Sequence, residues 1–205
     1  MTEAQLDAAL SRYLAAADRL RPEIRKGLPP GAAPERIAAA EAAIGRALTP
    51  ELKAFLARHD GSAETFVAPG WRLLSADLII ATWPAWVDLY QNACVPGGYL
   101  FDPDADLRAP DGPAKGDLWM RLDWIPFAED GTGDQLCIDL DPAPGGAVGQ
   151  IVEFRHDDDA RTVLAPGLAV WFERLAAEMA DGRIVWGRFD WGEALVYAEE
   201  LDDPT

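Results

Sequence analysis

The residues best equipped for chemistry are acids, and they crowd into one stretch. Between Glu129 and Asp141 the chain places Glu129, Asp130, Asp134, Asp139 and Asp141 around the turn Asp130-Gly131-Thr132-Gly133-Asp134. Hard cations need several oxygens converging at fixed spacing, so a carboxylate metal site is the first chemistry to weigh. Asp139 and Asp141 are expected on one strand face, whereas Asp130 and Asp134 flank a turn. Turn geometry and Asx hydrogen bonding account for Asp at such places without any metal. The structural reading wins, and no metal is assigned.

Other candidates for chemistry are thinner. Asp102-x-Asp104-x-Asp106 opens like a calcium loop, but Leu107 takes the required Gly position and Pro113 the bidentate Glu position. Asp157, Asp158 and Asp159 read as a solvated turn. The two histidines stand apart, His59 at a helix end and His156 in an acidic turn. Nucleophile elbows, paired-cysteine motifs, zinc-protease helices and phosphate-binding loops are missing from the sequence. Gly131-x-Gly133 runs on to Leu136 without opening a helix, so it is no phosphate cradle. Cys137 sits beside acids and lacks the positive surroundings that lower a thiol pKa. The expectation is a non-catalytic protein without a cofactor.

The acidic stretch must be carried by strands. Trp124, Ile125 and Phe127 have strand composition. The Gly/Asp turn from Glu129 to Asp134 follows, then a second strand from Gln135 to Leu140. Asp141-Pro142 breaks it, and Gln150 to Arg155 resumes as a third. Upstream, Leu6, Leu10, Tyr13, Leu14, Ala17, Leu20 and Ile24 recur at helical spacing, predicting one helix over 2–26 with a Thr2/Gln5 capping box. A second helix is expected from Pro34 to Ile44, with Gly45 as its stop, and a third after Thr49-Pro50-Glu51. Trp71 to Leu74 reads as a strand and Ser75 as the cap of a helix that Pro84 breaks or kinks. Residues 101–118 read as a surface loop. Arg161 to Leu164 is expected as a strand, and Leu168 to Ala180 as an amphipathic helix burying Trp171, Phe172 and Leu175. The segment 184–192 is aromatic and Gly-punctuated, and 199–205 is an acidic tail expected to fray.

The central pattern also resembles a family. Trp124-x-Pro126-Phe127-x-x-Asp130-Gly131-x-Gly133-Asp134-x-Leu136-Cys137-x-Asp139-x-x-Pro142, followed by Gly146-x-x-Gly149-Gln150-Ile151, is similar to the signature of the SUKH superfamily, the Smi/Knr-like proteins. The helical run Ile37-x-x-x-Glu41-x-x-Ile44-Gly45, then Leu52, Phe55 and Leu56, resembles the family's N-terminal half; Asp60 stands where the family commonly has Asn. Members include fungal regulators of cell wall assembly and bacterial immunity proteins that neutralise toxins. The resemblance implies an α+β fold and a protein-binding function. It marks Glu41, Gly45, Trp124, Pro126, Gly131, Gly133, Cys137, Pro142 and Gly149 as motif positions serving the fold.

Bulk composition bounds the rest. The 205 residues are 49% hydrophobic with eight Trp, enough for one folded domain with a sizeable core. The expected division is a helix over 1–26, a core over 34–198 and the tail. Most of the Trp are expected in the core, with Trp186, Phe189 and Trp191 as candidate interface residues. Thirty-five acids against 18 bases give a net charge of −17. Such a field repels nucleic acid and anionic membrane and attracts basic partners. The N-terminus lacks a basic, apolar leader pattern, and Leu78 to Val87 is too short and interrupted to span a bilayer. Cys94 and Cys137 are expected as free thiols, and with them a cytoplasmic location.

The fold expected is therefore α+β: N-terminal helices, a twisted, mostly antiparallel sheet centred on the meander, and a C-terminal helix packed on it. The function implied by resemblance and charge is an immunity protein that docks on a cognate, basic, nuclease-type toxin. The partner-binding residues assigned are Glu129, Asp130, Asp134, Asp139, Asp141, Asp157 and Asp158. The alternatives are a regulatory scaffold in signalling or cell-wall assembly, and a metal- or carbohydrate-binding enzyme.

Overall fold

Thr2 accepts the Gln5 N–H while Gln5 reaches back to the Thr2 N–H, and this capping box starts α1 (Glu3–Leu20). The structure is a computed structural model, described over residues 2–63, 67–98, 112–115, 119–158, 161–190 and 192–201. The single helix expected through Lys26 is two. Arg21 is extended at φ −160°, ψ 112°, because the proline that follows it disfavours the helical basin, and Pro22 then opens a short α2 (Pro22–Lys26). The apolar period survives the break, so Ile24 is still buried.

The remaining N-terminal helices follow their local signals. α3 (Pro34–Ile44) stops at Gly45, which takes φ 72°, and α4 (Pro50–Arg58) starts where the Thr49 hydroxyl accepts the Leu52 N–H. After the two-residue β1 (Arg72–Leu73), Ser75 caps α5 (Ala76–Ala93) as expected. Pro84 does not divide α5. One 18-residue helix runs through it, with Pro84 exposed and Trp83 and Trp86 buried on either side. Anchoring two indoles in the core outweighs the one backbone hydrogen bond that proline removes.

The meander is β2 (Trp124–Glu129), β3 (Gln135–Asp139) and β4 (Gln150–Phe154), extended by β5 (Arg161–Ala165). With β1 they form a five-stranded sheet in the order β1-β2-β3-β4-β5, antiparallel throughout. Pro126 pairs with Cys137 next to a register shift, which is where a residue without an N–H fits inside a sheet. β2, β3 and β4 are buried almost continuously, so both faces of the sheet are covered. Trp86 of α5 meets Phe154 edge-on at 5.1 Å. Trp171 of α6 (Leu168–Ala180) meets Phe127 edge-on at 5.7 Å. Phe172, next to Trp171, packs against Tyr13 of α1 at 5.2 Å and Phe55 of α4 at 5.6 Å, joining the sheet to the N-terminal helices.

The aromatic segment after α6 is a hairpin of its own: β6 (Ile184–Phe189) pairs with β7 (Gly192–Tyr197) as a separate two-stranded sheet. Ala198–Leu201 continues as a short 3₁₀ turn, and the last four residues of the acidic tail lie outside the described residues. So do Trp191, the acids Asp102, Asp104, Asp106 and Asp159, and most of the loop 101–118. Both cysteines are free and buried. Among the described residues, no helix is long and apolar enough to cross a membrane.

Candidate functional site

The seven acids assigned from the sequence do not share one surface. Asp134 immediately precedes β3 and Asp139 is its last residue. Five strand residues advance roughly 16 Å, so the two mark opposite ends of the sheet.

At one end the β2–β3 turn is built by Asp130. Its Oδ1 accepts the N–H groups of Thr132 (2.8 Å), Gly133 (3.1 Å) and Asp134 (3.0 Å), and its other oxygen takes the Thr132 hydroxyl. Burial pushes this carboxyl up, but the four hydrogen bonds together outweigh it and hold it below the usual range. Gly131 at φ 85° and Gly133 at φ 129° supply backbone conformations that an L side chain resists.

Asp134 joins this turn to the one between β4 and β5. Its Oδ1 accepts the His156 N–H at 2.9 Å and lies 2.8 Å from His156 Nδ1, while Arg155 Nε stands 3.6 Å from Oδ2. The hydrogen bond to Asp134 raises the His156 pKa, and the charges of Asp134, Asp157 and Asp130 add to the effect against partial desolvation. Asp157 is exposed beside it and Asp158 is half-buried. Glu129 ion-pairs with Arg72 across β1 and β2.

Asp134, His156 and Asp157 bring their ligand atoms within 4.8 Å of one another, a spacing compatible with a metal ion. Asp134 is already committed to hydrogen bonds and to Arg155, so a cation there would have to displace them. His156 was not among the site residues expected from sequence; its role depends on the pairing of Gln135 with Phe154, which sets the two turns side by side.

At the other end Asp139 is completely buried, and this corrects its assignment as a partner contact. Its oxygens accept the Asp141 N–H at 3.0 Å and the Gln150 side-chain N–H at 2.9 Å, and burial raises its pKa. Nor does it share a strand face with Asp141, which lies past the end of β3 and folds back onto it. Asp141 is ion-paired with Lys115 and sits 3.4 Å from Arg121; the Lys115 hydrogen bond is the main cause of its lowered pKa. This end of the sheet is thus an intramolecular ion-pair network, which also takes in Arg46 with Asp123.

The motif positions mostly hold backbone in place. Glu41 accepts the Leu48 N–H at 2.9 Å and meets Lys53 Nζ at 3.1 Å, steadying the entry to α4. Gly149 at φ 94° lies against the Thr49 methyl and gives its N–H to the Asp139 carbonyl at 2.7 Å. Trp124 and Cys137 are buried in the sheet, and burial pushes the Cys137 thiol well up, the opposite of an activated nucleophile. One structural residue had no sequence signal beyond being an Arg in a short strand. Arg161 is buried, its guanidinium 4.6 Å from the Phe154 ring centre, and it donates to the carbonyls of Trp119 (2.6 Å), Asp158 (2.6 Å) and Arg155 (3.2 Å). It thereby fixes the turn that presents Asp157.

Helices on an antiparallel meander, with carboxylates that tie turns together, define an α+β domain whose motif residues chiefly build the fold. The chain belongs to the SMI1 / KNR4 family (SUKH-1), whose model matches residues 31–174. It is 35% identical over 80 residues to the cell wall biosynthesis/cell cycle regulator smi1 of Schizosaccharomyces pombe, covering 39% of this chain and 16% of that protein. It is 38% identical over 60 residues to a glucan synthesis regulatory protein of Neurospora crassa, covering 29% of this chain and 11% of that protein. The match to a KNR4/SMI1 homolog 2 of Debaryomyces hansenii is 49% over 45 residues, 22% of this chain and 8% of that one. The chain therefore spans less than a fifth of the length of these curated relatives.

Proposed function

We propose that this chain is a non-catalytic protein-binding domain, and in its concrete form an immunity protein that docks on a basic, nuclease-type toxin and covers its active site. The observation that carries the reading is the excess of 17 negative charges together with the sheet end where Asp130, Asp157 and Asp158 gather on two turns locked by Asp134 and His156, beside Glu129, whose charge Arg72 offsets. A rigid acidic end steers a basic partner, raising the association rate and selecting against acidic competitors more than it adds affinity. Asp141, neutralised by Lys115 and Arg121, contributes less. The free thiols of Cys94 and Cys137 fit a reducing, cytoplasmic compartment.

A second reading is a regulatory scaffold in cell-wall assembly or signalling, favoured by the names of the fungal relatives. Affinity capture of the tagged protein from its host, at low and at moderate salt, separates the two. One basic protein recovered in stoichiometric amount and weakened by salt is the expected result. Recovery of several envelope or signalling proteins instead would replace the immunity reading with the scaffold.

A further inference from the structure

The sheet end where the β2–β3 and β4–β5 turns meet carries more than acids. Asp134, His156 and Asp157 each bring one donor atom to within 4.8 Å of the others, two carboxylate oxygens and one imidazole nitrogen. Exposed carboxylates alone are ordinary solvated surface. An imidazole among them changes the donor set. Nitrogen with oxygen suits zinc and its neighbours, whereas calcium and magnesium call for oxygen throughout.

The three donors are held by parts of the fold that do not themselves ligate. The His156 ring lies over Gly133, where a Cβ would come within 3.0 Å of ring atoms Cγ and Nδ1, so a side chain there would push the ring away from Asp134. The pairing of Gln135 with Phe154 sets the two turns side by side. Asp130 fixes the first turn through the N–H groups of Thr132, Gly133 and Asp134. The buried Arg161 guanidinium fixes the second through the carbonyls of Arg155 and Asp158, which flank His156 and Asp157. Little order remains to be imposed when an ion binds, and that preorganisation lowers the cost of binding.

Distance and charge point the same way. Zinc bonds of about 2.0–2.1 Å put tetrahedral ligand atoms about 3.3 Å apart. Asp134 Oδ1 and His156 Nδ1 stand at 2.8 Å, and Asp157 is exposed and free to close by rotation of its side chain. The charges of Asp134, Asp157 and Asp130 all act on the ring, and Arg155 stands 3.6 Å from Asp134. Three negative charges thus face at most two positive ones, a surplus that draws a cation. Arg155 is 53% exposed, so it gives way to an ion at little cost. Any proton on the ring passes to the buffer.

We propose that Asp134, His156 and Asp157 form a zinc site of three protein donors, with the fourth tetrahedral place open to water.

Calorimetric titration of the full chain with ZnCl₂, CaCl₂ and MgCl₂ tests this. Zinc should bind saturably at one equivalent, with calcium and magnesium at least about tenfold weaker. In a parallel proton NMR titration the His156 ring signals should move with zinc. Those of His59, whose ring is bonded to the Pro29 carbonyl, should stay in place. His156→Gln and Asp157→Asn should each weaken zinc at least about tenfold, since even groups behind a metal's ligands are worth that much. Asp157→Asn alters an exposed side chain and decides the matter should His156→Gln unfold. No saturable zinc binding, calcium bound as tightly as zinc, or a zinc affinity that Asp157→Asn leaves unchanged each overturns the proposal and leaves the cluster as an ion pair that locks two turns. The titration uses the chain alone, so its failure leaves the docking reading standing.

Discussion

Glu51 of α4 accepts the backbone N–H of Leu168, the first residue of α6, at 2.9 Å, so the carboxylate of one helix caps another 117 residues away. The residue in the N-cap position of α6 is Gly167, which has no side chain to do this. Glu51→Ala removes the acceptor from a buried helix start and should cost about 2 kcal/mol, within the range for lost caps and stranded buried donors. Glu51→Gln keeps an acceptor and should cost less. Urea denaturation of both variants checks the order; equal losses would mean the cap contributes nothing.

The pairing of His156 with Asp134 predicts a pH dependence of known sign. The folded-state pKa of His156 is raised above its ordinary value of 6.5, so protonation favours the folded state. This contribution is fully present below the unfolded pKa and is lost as pH rises through the higher folded one. A His156→Gln variant should therefore differ most from the parent in slightly acidic solution, with the gap closing at alkaline pH. Proton NMR of the His156 ring should give a midpoint above 6.5 that falls in Asp134→Asn. A midpoint unmoved by that substitution contradicts the assignment.

The two ends of the sheet predict different responses to charge reversal. Asp157→Lys, at an exposed position, should slow association with a basic partner several-fold at low salt, and the difference should shrink at moderate salt. Asp141→Lys should act more weakly on association, because Lys115 and Arg121 already offset the charge of Asp141. Stopped-flow association of the captured partner measures both, and equal effects would dissolve the distinction between the ends.

Pro84 interrupts the hydrogen bonding of α5 at an exposed position, leaving the Ile80 carbonyl without its helical donor. Pro84→Ala should restore it and raise stability by about 1 kcal/mol, after allowing for the extra freedom alanine gives the unfolded chain. Thermal and urea unfolding would show this directly. A less stable variant would mean that the proline ring packs favourably where it stands.

Much of the fold was legible because its signals are local. Thr2 with Gln5, Thr49 before Pro50, Ser75 and Gly45 each act within one helical turn, and the structure shows each in the expected role. The meander followed from the Gly/Asp turn and the apolar runs beside it. The break at Arg21 was missed because the helical period of apolar residues runs past it, although Pro22 stood there to announce it. The β6–β7 hairpin was missed because Gly187 and mixed burial blur its alternation.

By itself the sequence determined the α+β class, the order of helices and strands as far as α6 apart from the break at Arg21, the turn that Asp130 organises, the free cysteines and the acidic field. These rest on residue type and on hydrogen bonds between near neighbours, which a linear reading can see. Tertiary structure alone decided that Asp139 is buried, that Asp134 meets His156 and that Glu51 caps α6. Each depends on strand register or helix packing bringing together groups far apart in the chain. A carboxylate's neighbours, and not its spacing along the chain, decide whether it ties the fold together or meets a partner.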